Sequence, residues 1–172
     1  MSTTVDQPRG FRPQKAEGQA LRSTRYAKTS DEVVYEGDLV KRVAAGTVQA
    51  ATVGGGNVVG VAASTSLATD ADFVEVYDDP DMVFVCQADG ATAYAVADNG
   101  LNADISLGAA NTTLNRSGHE VDMSTAATTA TLPIKILGLA PTLNGVANPA
   151  GAAADLLVKL NQVEKSAGVV GV

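Results

Sequence analysis

What most constrains this 172-residue chain is its punctuation: from residue 32 onward, Gly, Asp, Asn and Pro interrupt it about every eight to twelve residues. The runs between them are short and rich in Val and Thr. An α-helix of ordinary length, about 10–14 residues, finds little uninterrupted room, and β-branched side chains favour a pleated surface over a helical one. The spacing therefore predicts an all-β body, a small β-barrel or β-sandwich. Strands are expected over 33–35, 39–43, 47–52, 57–63, 73–77, 82–87, 91–97, 104–107, 120–123, 132–140 and 156–164. The turn Asp78-Asp79-Pro80-Asp81 between the runs 73–77 and 82–87 reads as a hairpin. The best helical candidate is 150–160, with its three consecutive alanines, but the alternation of Val158-Lys159-Leu160-Asn161-Gln162-Val163-Glu164 favours a closing strand.

The first thirty residues have a different character. They show no sustained period and carry Pro8, Gly10, Pro13 and Gly18 among polar residues. Six bases (Arg9, Arg12, Lys15, Arg22, Arg25, Lys28) face two acids (Asp6, Glu17), a net of +4. The remainder holds six bases and seventeen acids, a net of −11, which leaves −7 for the whole chain. The expected organisation is an extended basic arm over 1–31, a β domain over 32–165 and a small apolar tail over 166–172. A basic arm on an acidic body suits docking onto acidic protein surface, with Phe11, Leu21 and Tyr26 as anchors into a partner groove. Nucleic acid is the weaker partner, because phosphates repel an acidic body. A solvated tail is the plain alternative.

The apolar content is carried by small side chains, 29 Ala and 22 Val against three Phe, four Tyr and no Trp. Burial stabilises by roughly 25 cal/mol per Å², so such a core gains less per ordered residue than one of Leu and Phe. Association with copies or partners would supply more. The one cysteine, Cys86, excludes an intrachain disulfide and reads as a small buried hydrophobe. The N-terminal residues do not form a secretory signal, and no apolar run approaches the ~18–20 residues of a membrane span. A soluble protein made in a cytoplasm, with no membrane partner, is expected.

Chemistry-bearing motifs are few. Serine-type catalysis needs a base, and the only histidine, His119, lies in Asn115-Arg116-Ser117-Gly118-His119-Glu120, which reads as a solvated polar turn entering a strand. Asp78, Asp79 and Asp81 are the densest acidic cluster and the one weak candidate for a hard cation, but they lack EF-hand spacing and read better as a turn. In Gly54-Gly55-Gly56-Asn57-Val58-Val59-Gly60 no Gly-Lys-Ser/Thr follows and the dinucleotide fingerprint would need glycine at Val59, so this is a flexible turn. Asn111-Thr112-Thr113 and Asn115-Arg116-Ser117 match the glycosylation pattern only formally. With aromatics at 4%, stacking platforms for single-stranded nucleic acid are missing. These readings point away from an enzyme, with no catalytic residues and no cofactor.

The strings Val34-Tyr35-Glu36-Gly37-Asp38-Leu39-Val40-Lys41, Gly60-Val61-Ala62-Ala63 and Val74-Glu75-Val76-Tyr77-Asp78-Asp79-Pro80-Asp81-Met82-Val83-Phe84, with Leu132-Pro133-Ile134-Lys135-Ile136-Leu137-Gly138-Leu139 further on, resemble the capsid cement (decoration) proteins of tailed bacteriophages. The likeness spans residues 33–164 and is one of texture and short strings. It implies a β-barrel or sandwich, commonly a homotrimer, seated on the outer capsid surface of the virion and stapling neighbouring major capsid proteins. The arm matches no family motif, and its docking residues, Arg9, Phe11, Arg12, Lys15, Leu21, Arg22, Arg25, Tyr26 and Lys28, are assigned from charge and apolar character alone. Another virion component, such as a tail or host-attachment protein, is the alternative, although few aromatics are present for sugar stacking. A β-barrel enzyme is the third, and would need a pocket of convergent titratable groups.

Overall fold

The computed structural model describes residues 5–14, 20–54, 58–141, 150–161 and 163–165. Eleven strands follow in chain order: β1 (Arg12–Pro13), β2 (Thr24–Ala27), β3 (Leu39–Arg42), β4 (Val48–Ala50), β5 (Val58–Ala62), β6 (Phe73–Tyr77), β7 (Val83–Gln87), β8 (Asn102–Leu107), β9 (His119–Ala127), β10 (Ile134–Leu139) and β11 (Asp155–Leu160). Among the described residues there is no α-helix, only a single 3₁₀ turn at Val96–Asp98. The strands form two antiparallel sheets, one ordered β1-β7-β11-β10-β8-β9 and the other β2-β6-β5-β3-β4. Neither closes on itself, so the architecture is a sandwich and not a barrel.

Period-two patterning explains the packing. Phe84 and Cys86 on β7 and Leu156, Val158 and Leu160 on β11 alternate with less buried neighbours and point into the main core. They meet Leu39, Val58 and Val61 from the five-stranded sheet, with Ile105, Ile134 and Ile136. Val40, Val59, Ala62, Val74 and Val76 form a second, smaller core with Val34 and Val48. Leu39 and Val40 are adjacent yet belong to different cores, so the five-stranded sheet is buried on both faces. That accounts for its doubled apolar pairs, Leu39-Val40 and Val58-Val59, where a one-sided sheet would show alternation. Gly60 is required in the middle of β5, because a Cβ there would lie 2.1 Å from the Tyr77 carbonyl oxygen.

The expected hairpin does not form. β6 pairs with β2 and β5, whereas β7 pairs with β1 and β11 in the other sheet. Asp78-Asp79-Pro80-Asp81 is thus the corner that carries the chain between the sheets. A strand–turn–strand pattern states that the chain bends, but not whether the next strand pairs beside the last or stacks across from it. The run 91–97 is also not a strand. Tyr94 is buried, its N–H donates to the Gly151 carbonyl (3.2 Å) and its hydroxyl to Asn99 Oδ1 (2.7 Å), which curls the segment. The run 33–35 is reduced to one bridge, Val34 with Ser66, and 150–160 is a strand from Asp155.

The N-terminal segment contributes to both sheets. β1 adds an edge strand beside β7, and β2 adds one beside β6. Phe11 is 1% exposed in the main core, Leu21 packs against that core and Tyr26 against the second. The side chains expected to fill a partner's groove are therefore used within the chain.

Candidate docking site

Close backbone approach brings three distant stretches of sequence together. Gly10 has φ +66° and sits so tightly that a Cβ would fall 2.4 Å from Ser117 Cβ and 2.6 Å from the Gly37 carbonyl oxygen. Phe11 N–H donates to the Gly37 carbonyl (2.9 Å), and Ser117 N–H donates to that of Glu36 (3.0 Å). Arg116 is fixed by reciprocal backbone bonds with Asn111 (2.9 and 3.1 Å) and by bridge pairing with Glu36. The result is a pair of adjoining clefts that share Arg9 and Arg116. The smaller, about 170 Å³, adds Arg12, Glu36 and Tyr77, and the larger, about 680 Å³, adds Asp6, Pro8 and Leu114. Leu114 is 62% exposed. Three guanidiniums and one carboxylate line the smaller cleft, so it favours a carboxylate-bearing partner, which arginine can hold through paired N–H donors.

Arg9 reaches Gln7 Oε1 at 3.4 Å, and Arg9, Arg12, Arg22 and Arg116 make no ion pair with any described residue. Arg22 lines a third cleft beside Asp78 and Lys165. Arg25 pairs with Glu75 (Nε to Oε1, 3.1 Å) and lies 4.2 Å from the Phe73 ring centroid. Lys28 is not available for docking: it is buried, and its ammonium donates to the carbonyls of Glu32 (2.6 Å) and Leu67 (2.7 Å). Lys15, the tail 166–172 and Gly55, Gly56 and Asn57 lie outside the described residues. Arg116 escaped the sequence reading because it belongs to a turn 107 positions from Arg9. Its only signal was an isolated base in an acidic half of the chain.

His119 is a correction. It is buried, not solvated: Nδ1 accepts the Leu39 N–H (3.0 Å) and Nε2 lies 3.6 Å from Asp38 Oδ1. Leu39 and His119 belong to different sheets, so the ring clasps the sandwich. Burial pushes its pKa down, against the pull of Asp38, which keeps the ring neutral and its Nδ1 lone pair on Leu39. Cys86 is buried nearby, with Sγ 3.7 Å from the His119 carbonyl, and burial drives its pKa well up, so it is a thiol and no nucleophile.

The acidic corner is engaged carboxylate by carboxylate. Asp78 accepts from Tyr26 Oη (2.7 Å) and Lys165 Nζ, Asp79 Oδ1 accepts the Asp81 N–H (2.8 Å), and Asp81 Oδ1 accepts from Lys159 Nζ (2.6 Å). Burial pushes Asp78 up, but the hydrogen bonds from Lys165, Tyr26 and Thr24 leave its pKa below the ordinary value. Among the described residues no three His, Cys, Asp or Glu side chains are arranged to hold a metal ion, and no helix is long and apolar enough to cross a membrane. Comparison with protein-family models, curated proteins and solved structures gives no match for this chain.

Proposed function

We propose that this protein is a non-enzymatic structural component of a phage virion, a cement protein that binds the outer surface of the capsid shell as a homo-oligomer and staples neighbouring major capsid proteins. The observation that carries the reading is the gathering of Arg9, Arg12 and Arg116 around two adjoining clefts, without ion pairs to described residues, on a chain of net charge −7. A strongly acidic body repels phosphates, so a local basic patch directs it toward acidic protein surface. Modest contacts per copy suffice when many copies act on one shell. A trimer on three-fold positions suits this role, and no cofactor, nucleic acid or membrane enters it.

The test mixes purified shells lacking accessory proteins with the chain at low and high salt, and follows mass by light scattering. Uptake at fixed stoichiometry that weakens with salt is expected, and Arg9→Glu with Arg116→Glu should abolish it. Shells that take up neither parent nor variant at any salt would overturn the reading and move the assignment to a tail or host-attachment component.

A further inference from the structure

We propose that His119 is an acid-sensitive clasp behind the docking clefts, where protonation of its Nδ1 releases Leu39 and loosens the backbone that holds the clefts together. The ring is only 7% exposed, and Leu39 is fully buried. Nδ1 accepts the Leu39 N–H (3.0 Å), so the ring proton of the neutral form is on Nε2, 3.6 Å from Asp38 Oδ1. A proton added at Nδ1 turns that acceptor into a donor facing another donor. The buried Leu39 amide then loses its partner.

The clasp is continuous with both walls of the smaller cleft. Glu36 and Gly37 line one wall and lead directly into Asp38 and Leu39; Arg116 lines the other and leads through Ser117 and Gly118 into His119. Ser117 Oγ accepts the His119 N–H (2.9 Å), and the Ser117 N–H donates to the Glu36 carbonyl (3.0 Å). Asp38 cannot follow a moving ring, because its Oδ2 accepts the Tyr35 N–H and its carbonyl the Ala62 N–H, both at 2.8 Å. Displacing the ring therefore shifts Ser117, and with it Arg116, relative to Arg9 and Arg12.

The surroundings set the direction of the response. Among the described residues, Asp38 is the one charge acting on the ring. From β7 the Cys86 thiol, 3.7 Å from the His119 carbonyl, is neutral. Leu107, paired across on β8, and Gly10, packed on Ser117, carry no charge. Glu120, next along β9, directs its side chain to the opposite face. Burial outweighs Asp38, so the clasped imidazole takes up a proton less readily than a solvated one with the ordinary value of 6.5. The clasped form is thus fully favoured above pH 6.5 and loses ground as pH falls from there toward the lowered value.

Control of docking rests on the docking reading, whereas the clasp is measured on the isolated full chain, so the two fail separately. His119 is the only histidine, so its ring nitrogens are unambiguous by NMR, and the Nε2–H tautomer is expected at pH 7.5. From pH 7.5 to pH 5, hydrogen-exchange protection of the Leu39 amide, corrected for intrinsic rates, should fall in step with ring protonation. The limit for one proton taken up at 6.5 is about thirtyfold. The Lys28 amide, bonded to the Asp72 carbonyl (2.9 Å), should stay flat. In His119→Asn, whose Oδ1 accepts the Leu39 N–H but takes up no proton in this range, Leu39 should be flat too. Asp38→Asn, which removes the charge favouring the imidazolium, should move release to lower pH. An Nδ1–H tautomer, a Leu39 profile indifferent to ring protonation, or an equal fall at Lys28 overturns the clasp. On shells lacking accessory proteins, uptake of the parent should drop between pH 7.5 and pH 5 and that of His119→Asn should not; an equal drop in both would overturn the control of docking alone.

Discussion

β1 offers only two residues to its ladder, yet its flanks are held by burial, whereas β2 offers four and is held mostly at the surface. Around β1, Phe11 fills the main core and Gly10 is wedged against Ser117 and Gly37. Around β2, Arg25 pairs with Glu75 in partial solvent, and Tyr26 reaches Asp78. Ladder length is thus a poor guide to how firmly a strand is attached. Packed apolar volume outweighs a few exposed polar contacts, because each net hydrogen bond or surface ion pair contributes only about 1 kcal/mol or less.

This contrast can be broken from its strong end. Phe11→Ala is expected to cost about 3–5 kcal/mol in urea unfolding, through lost burial and a residual cavity. Gly10→Ala should follow at about 1–3 kcal/mol, since the Cβ collides with Ser117 and φ is left-handed. A Gly10→Ala protein with parental stability would show that the close approach is not needed. On the β2 side, Tyr26→Phe should cost about 1 kcal/mol, because Asp78 keeps Lys165. Arg25→Ala, exposed, should stay within about 1 kcal/mol.

Acidity sharpens the same contrast, because the β2 side is held in part by an ionised carboxylate and the Phe11 side by apolar burial. Asp78 has a depressed pKa, so its stabilisation is present above the ordinary 3.8 and is lost as pH falls through its lowered value. Amide exchange at Tyr26 should accordingly rise only in strong acid, and a Tyr26 profile that already rises well above pH 4 would show that Asp78 does not hold this strand.

Much of the fold was legible because β-branched runs and turn residues are local signals. Phe73-Val74-Glu75-Val76-Tyr77 lies on a strand, and the alternation over 158–164 begins on one that ends at Leu160. The partner of each strand was not legible, since Asp78-Asp79-Pro80-Asp81 serves equally well as a hairpin turn or a sheet-to-sheet corner. The segment 1–31 was misleading in a similar way. Its composition describes an extended basic arm that docks on a partner, and nothing local says that Phe11 meets a groove in its own chain. The candidate site was half legible: Arg9 and Arg12 stood out by charge, but Arg116 joins them only through the packing of Gly10 on Ser117. His119 was misjudged because its flanks are polar, while its partners, Asp38 and Leu39, lie about 80 positions away.

The position of β11 bears on the order of events during folding. It is the last strand in the described chain, yet it lies between β7 and β10 near the middle of the six-stranded sheet. Before it arrives, β7 with its edge partner β1 meets the β10-β8-β9 half through no strand ladder, only through the single bridge between Ala88 and Val121. The N-terminal strand thus gains its full platform only once residues 155–160 are present. Such distant pairings make closure slow, on the millisecond-to-second scale of sandwich domains, and a half-built sheet exposes the flanks of β7 and β10 until β11 inserts.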